Sequence, residues 1–233
     1  MNFSKQKKIQ VEKFLDGPQI STESFIINGE IYNIAFLDRN YNDMNKFLPN
    51  IIENGGDMPS VYIKDEHKLQ LTNYIKIISK ELNIKDGVLK GDIVIHNNKL
   101  YIIEFALRLS GGNFSTVCTP ASTGIDFIKI AIKLHMDMKV DNKELKQTKN
   151  DCVSMRYKFV EDTEKGIIKK LIMPRKNKDI LMANFYVKIS DRIESKTTDH
   201  SKRLAVTVAK GENREKAIMN AQFFLDNMKI VCG

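Results

Sequence analysis

Cysteine is scarce in this chain: three residues in 233, namely Cys118, Cys152 and Cys232. They are widely separated, odd in number and form no CxxC pair or Cys/His cluster, which argues against both a disulfide framework and a zinc site. They read as small buried hydrophobes. No apolar run is long enough to span a bilayer, and the opening MNFSKQKKIQ lacks the apolar core of a signal peptide. The expectation is a soluble, cytoplasmic protein with no membrane partner. Low-complexity segments and fixed-period repeats are lacking too.

The formal charge of +8 asks for a partner. Part of it lies in KGIIKKLIMPRKNK (165–178), which has six Lys or Arg and no acid. That stretch lacks the interleaved aromatics, RNP-type motif or recognition-helix pattern of a nucleic-acid binder, so nucleic acid is not the expected partner. A solvated basic face, or attraction of an anionic small ligand, accounts for the charge.

A hydrophobic content of 42% suffices for a real core. IQVEKFL (9–15), STESFII (21–27) and IYNIAFL (31–37) have strand composition, with turn residues between them. The polar, Gly- and Pro-punctuated 37–60 segment reads as a loop over a ligand site. Leu71, Ile75, Ile78 and Leu82 predict one apolar stripe on a helix over 67–84. GIDFIKIAIKLHMDM (124–138) predicts a helix apolar on nearly all sides, with His135 packed or capping rather than a ligand. A polar linker at 139–151 separates a first lobe, 1–140, from a small α+β module, 141–233. The module has strands near 152–160, 166–173, 183–189 and 203–211, and a closing helix at 213–228 capped by Asn213. The fold class is α+β, with an antiparallel sheet and packed helices.

The chemistry concentrates in GDIVIHNNKLYIIEFALRLSGGNFS (91–115). Two apolar strands carry Asp92 and Glu104, and turn length decides whether the acids share a face. A two-residue turn at Asn97-Asn98 places Asp92 opposite Ile103. A three-residue loop, Asn97-Asn98-Lys99, places it opposite Glu104, and asparagine's tolerance of left-handed backbone makes that register reasonable. In it, Val94, Leu100 and Ile102 share the acid face, while Ile93, Ile95, Tyr101 and Ile103 line the other, so the hairpin is expected to be buried on both sides. Facing carboxylates repel unless a cation lies between them. Mg²⁺ or Mn²⁺ would suit such oxygen ligands. Equally, Asp92 could end a strand in water while Glu104 pairs with Arg108, and the residues alone leave both readings open. Arg108 can fork onto carboxylate or phosphate, and Gly111 and Gly112 permit close backbone approach by an anion.

Taken together, VEKFLDGPQISTE (11–23), FLDRNY, GGDMPS, GDIVIHNNKLYIIEFALRLSGG, PASTGIDFIKIAIKL and RLAVTVAKGENREKAIMNAQFFLDNMKI resemble segments of the ATP-grasp carboxylate–amine ligases, the branch similar to carbamoyl-phosphate synthase, biotin carboxylase and the L-amino-acid ligases. The resemblance covers the C-terminal half of such enzymes. It implies that Glu12, with the backbone of Lys13, Phe14 and Leu15, contacts adenine, and that Glu23 lies near the ribose. It also implies that Asp92 and Glu104 bind Mg²⁺ (or Mn²⁺) on ATP, that Arg108 steadies the acyl phosphate or transferring phosphoryl group, and that Gly111, Gly112 and Asn113 border the acceptor substrate. Such enzymes activate a carboxylate as an acyl phosphate, which an amine or similar nucleophile then displaces.

The sequence departs from that pattern at Ala106, where the family often has a metal-binding Asn. It also starts almost at the adenine hinge, so the resemblance implies a nucleotide-gripping N-terminal lobe or companion subunit as partner. A homodimer is a further assembly it allows. The alternative reading is a non-catalytic nucleotide-binding or assembly module built on the same scaffold.

Overall fold

Alternating and β-branched runs form most of the predicted strands in the computed structural model, which describes residues 5–193 and 196–233. β1 (Gln19–Ile27) and β2 (Glu30–Arg39) form a hairpin. β3 (Gly56–Met58) and α1 (Asp65–Glu81) precede the hairpin of β4 (Gly87–His96) and β5 (Lys99–Ala106). A π-helical turn, Phe114–Cys118, runs into α2 (Thr119–Thr123), and α3 (Phe127–His135) follows. The remainder is β6 (Cys152–Lys158), β7 (Gly166–Ile172), β8 (Ile180–Phe185), β9 (Arg192–Ile193), β10 (Ala205–Gly211), α4 (Arg214–Asn227) and β11 (Lys229–Cys232).

One eight-stranded sheet has the order β5-β4-β1-β2-β3-β6-β10-β8, and a three-stranded sheet has the order β11-β7-β9. Among the described residues every pairing is antiparallel. Successive side chains of a strand face opposite ways, so each strand feeds two cores. Phe25, Val88, Met155 and Val206 lie in a core with Phe127 and Ile130 of α3, where the Phe25 and Phe127 rings stack 4.2 Å apart. On the opposite face, Ile26, Leu89 and Ile93 pack on Leu71 and Ile75 of α1. Ala205 and Ala209 pack on Ala221 and Phe224 of α4.

Several expectations change. Residues 9–15 form no strand, because β2 and β4 already flank β1 and leave no free edge beside it. The chain instead reaches β1 over the hairpin: Pro18 O accepts from Ile95 N at 3.2 Å, and Gly17 passes so close that a Cβ would lie 2.0 Å from Ile95 O. The 37–60 segment is not all loop. Its Gly56–Met58 becomes β3, pairing with β2 on one side and β6 on the other, so strands from before and after residue 140 share one sheet.

The helices also differ in detail. The buried positions of α1 are His67, Leu71, Ile75 and Ser79, while Leu82 is exposed beyond the helix end. α3 is not apolar-buried all round, since Ile132 and the nearby Met136 are exposed. His135 is exposed at the end of α3 rather than packed, its Nδ1 2.8 Å from Ala131 O one turn back. Asn213 caps α4 by accepting from Lys216 N at 2.8 Å.

Candidate anion site at the hairpin base

Asp92 and Glu104 do stand opposite each other, but not through a three-residue loop. His96 pairs with Lys99, leaving Asn97-Asn98 as a two-residue turn with φ of 50° and 58°, the signature of a type I′ hairpin. Parity is restored by a bulge: Ile93 pairs with Ile102 and Asp92 with Glu104, so Ile103 is the extra residue. The two faces differ accordingly from expectation. Leu100 and Ile102 join Ile93 and Ile95 against α1, away from the acids. Nor is the hairpin buried on both sides, because β5 is the sheet edge and Tyr101, Ile103 and Glu104 are exposed.

The acids share a cation that belongs to the chain. Lys90 lies two residues before Asp92, so the pleat aims both side chains to one face. Its ammonium bonds Asp92 and lies 3.6 Å from Glu104. Asp92 also accepts from Ser21 Oγ, directly across on β1, at 2.9 Å, and lies 3.5 Å from the guanidinium of Arg39. Glu104 therefore pairs with Lys90; Arg108 instead donates to Leu109 O at 3.0 Å.

Cross-strand register builds the rest of the cleft. Ser21 pairs with Asp92 on one side and Leu37 on the other, and Arg39 follows two residues along β2 on the same face. Arg39 meets Glu53 at 3.0 Å, and Glu53 in turn meets Arg203, which precedes β10, at 3.2 Å. Burial works against the Arg39 charge, but Glu53 and Asp92 outweigh it and hold the guanidinium above its ordinary pKa. The Arg203 guanidinium lies 3.7 Å from the centre of the Tyr157 ring. Burial pushes Tyr41, beside Arg39, up to about 12. Arg39, Lys90, Arg108 and Arg203 line a 240 Å³ cleft with the acids Glu53 and Asp92, the Gly111-Gly112 turn, Tyr157 and His200. Cations outnumber carboxylates there, so the cleft is suited to an anion.

The other predicted residues divide. Arg108, Gly111 and Gly112 line the cleft. Gly112 has φ +63°, and a Cβ there would fall 2.7 Å from Tyr157 Oη, so glycine is required for packing as well as conformation. Asn113 turns away, its Nδ2 donating to Tyr186 Oη at 3.2 Å. Glu12, Lys13, Phe14 and Leu15 are outside the cleft lining: they lie on the irregular lead-in, where Phe14 is 78% exposed. Glu23 is 1% exposed, enclosed beneath the Gly-Gly turn, and accepts from the Ser115 and Thr119 hydroxyls. Burial raises its pKa, and these hydrogen bonds only partly oppose the shift. An enclosed carboxyl of this kind is placed to tie β1 to the π-helical turn.

Sequence reasoning overlooked Arg39, Glu53, Lys90, Tyr157, His200 and Arg203. Lys90 was within reach, since alternation alone puts it on the face of Asp92. Glu53 and Arg203 come from irregular segments 150 residues apart that meet only in the fold.

No protein-family model and no curated protein matches the sequence. Solved structures do match the fold. A phosphoribosylglycinamide synthetase from Anaerococcus prevotii superposes with a TM-score of 0.81 at 18% identity, covering 95% of this chain and 55% of the other. For an L-amino acid ligase from Bacillus licheniformis the values are 0.76, 16%, 94% and 55%. For the biotin carboxylase domain of Hydrogenobacter thermophilus 2-oxoglutarate carboxylase, a dimer in complex with MgADP, ADP and bicarbonate, they are 0.68, 15%, 94% and 47%. The chain thus spans about half the length of these proteins. Its all-antiparallel α+β architecture is the ATP-grasp fold that it shares with that half of each.

Proposed function

We propose that this chain supplies the anion-binding half of an ATP-dependent carboxylate–amine ligase. The observation that carries the reading is the convergence of Arg39, Lys90, Arg108 and Arg203 on one cleft beside a Gly-Gly turn, on a fold shared with an L-amino acid ligase and a nucleotide-bound carboxylase domain. In such a reaction a substrate carboxylate oxygen attacks the γ-phosphorus of ATP, ADP leaves, and an amine then displaces phosphate from the acyl phosphate. Little proton transfer is needed; positioning and charge neutralisation carry most of the catalysis.

On this reading Arg108 and Arg203 hold the carboxylate or its acyl phosphate, and the Gly111-Gly112 backbone borders the acceptor, with Asn113 fixing that turn. Glu12 and the Lys13–Leu15 backbone would meet adenine when the lead-in closes on nucleotide, and Glu23 would support the ribose side from within. A companion lobe, in the same polypeptide or another, would complete the nucleotide clamp, and a homodimer is the further assembly this reading allows. Residues 1–140 would form the nucleotide-facing unit and 141–233 the supporting module.

The test is ATP binding by calorimetry, followed by ADP release on adding a companion lobe and a panel of carboxylates and amines. Carboxylate-dependent ADP release that Arg108→Ala reduces by about 100-fold supports the ligase. Nucleotide binding without ADP release for any substrate pair would favour the alternative, a nucleotide-binding assembly module.

A further inference from the structure

A divalent metal held between Asp92 and Glu104 is the arrangement that the ATP-grasp resemblance implies, and the donor set here does not fit it. Magnesium needs near-octahedral oxygen ligation and carboxylates free to give it lone pairs. Asp92 is engaged by Lys90, by Ser21 at 2.9 Å and by Arg39 at 3.5 Å. Glu104 faces the same ammonium at 3.6 Å. Two residues along β5, the side chain is Ala106, which has no donor atom. Among the described residues, no group of three or more His, Cys, Asp or Glu is placed to hold a metal ion.

We infer that Lys90 is a built-in counter-cation: its ammonium replaces the divalent ion between Asp92 and Glu104, so the cleft takes a polyphosphate anion without a protein-held metal. The physical case has three parts. Opposed carboxylates need positive charge between them, and Lys90 provides it from the same strand. Lys90 and Asp92 are 11% and 15% exposed, so that pair sits mostly out of water and its attraction is strong, while Glu104, 57% exposed, is held more weakly. A metal in that position would have to expel the ammonium, leaving two cations competing for the same oxygens. The tetrahedral ammonium also has a donor to spare, and Lys90 lines the cleft into which a phosphate would come. Lys90 is therefore a ligand-binding residue as well as a bridge. The identity of the ligand rests on the ATP-dependent reading above; the exclusion of metal by Lys90 does not.

Two measurements on the intact chain test this. In the first, Mn²⁺ is titrated without nucleotide and free ion is followed by electron paramagnetic resonance. Wild type and Lys90→Arg should bind no more Mn²⁺ than the Asp92→Asn/Glu104→Gln double variant. Lys90→Met, with an unchanged circular dichroism spectrum, should gain about tenfold or more in affinity, and Asp92→Asn in that background should abolish the gain. Uptake by wild type that Asp92→Asn removes would overturn the inference, as would a folded Lys90→Met that still takes up none. In the second, the ATP-induced rise in melting temperature is compared in EDTA and in Mg²⁺. Equal shifts for wild type, with a Mg²⁺-dependent shift for Lys90→Met, support the inference. A wild-type shift that requires Mg²⁺ overturns it while leaving ATP binding intact. No shift in either condition overturns nucleotide binding by this half alone, and the Mn²⁺ titration then decides the role of Lys90.

Discussion

Arg203 stacks on Tyr157, its guanidinium 3.7 Å from the ring centre, while the Tyr157 hydroxyl donates to Gly112 O at 2.9 Å. One aromatic side chain on β6 thus links the cation before β10 to the Gly-Gly turn after β5. Burial raises the phenol pKa further, so the hydroxyl stays protonated and remains a donor. Arg203 is fixed from its other side by Glu53, through both carboxylate and carbonyl. The position of a cleft cation is therefore set by contacts that involve no ligand.

Tyr157→Phe should separate the two functions of that side chain. The ring and its stacking on Arg203 remain, while the bond to Gly112 is lost, for about 1 kcal/mol in denaturant unfolding. Amide exchange at Gly112 and Asn113 should accelerate more than at β6. Uniform acceleration across the sheet would show instead that the hydroxyl contributes only to global stability.

The buried acids behind the sheet carry a second prediction. Asp57 receives both guanidinium nitrogens of Arg156, at 2.9 and 3.1 Å, and Ser154 Oγ at 2.7 Å. Arg214, at the start of α4, bonds the neighbouring Asp38 at 2.9 Å. Burial raises the Asp38 pKa, against hydrogen bonds from Ser60 and Val61 and the Arg214 charge. This network ties β3 to β6 and α4. Arg156→Met leaves Asp57 buried without its main partner and should cost about 3–5 kcal/mol. Arg156→Met combined with Asp57→Leu should recover much of the loss, and urea midpoints of the three proteins measure it.

The hairpin turn gives a third. Asn97 and Asn98 both have positive φ, but only Asn98 also docks on α1, accepting from Lys64 Nζ and donating to Glu66 Oε1, each at 2.9 Å. Asn97→Ala should lose about 1 kcal/mol from the left-handed backbone. Asn98→Ala should lose that amount and the docking bonds as well, so it should be the more destabilising of the two by thermal melting. Equal losses would show that these exposed bonds contribute nothing.

The same hairpin shows how much of the site was legible. The pairing of Asp92 with Glu104 was foreseen from strand alternation, but the route was wrong twice in ways that cancel: the turn is one residue shorter and the Ile103 bulge adds one back. Bulges are set by tertiary packing, here by Leu100 and Ile102 seeking α1, and leave no mark in a pattern of two. The long regular elements were legible because their apolar spacing is local, as in Ala217, Ala221 and Phe224 of α4. β3 was not, because Gly56–Met58 owes its strand state to β2 and β6 on either side. The same holds for Glu53 and Arg203, whose meeting depends on that seam. Lys90 differs: alternation alone puts it on the face of Asp92, and only the β4–β5 register brings Glu104 within its reach.

Glu23 supplies the last prediction. Its pKa is raised above 4.5 by burial, with Ser115 and Thr119 hydroxyls bonded to the carboxylate pulling the other way. The native state thus binds this proton more tightly than the unfolded state. Below the unfolded value both states are protonated and Glu23 adds no pH dependence. As pH rises from there through the raised native value, the unfolded chain ionises first and stability falls. Glu23→Gln keeps the shape and, like the protonated acid, offers one accepting oxygen and one donating group, without a titrating proton. Its stability should match wild type at acid pH and exceed it increasingly above pH 4.5, with the difference levelling off once the native carboxyl has ionised. Urea unfolding across that range measures the two curves. Parallel curves would mean that Glu23 ionises equally readily in both states, and that its place beneath the Gly-Gly turn is open to water.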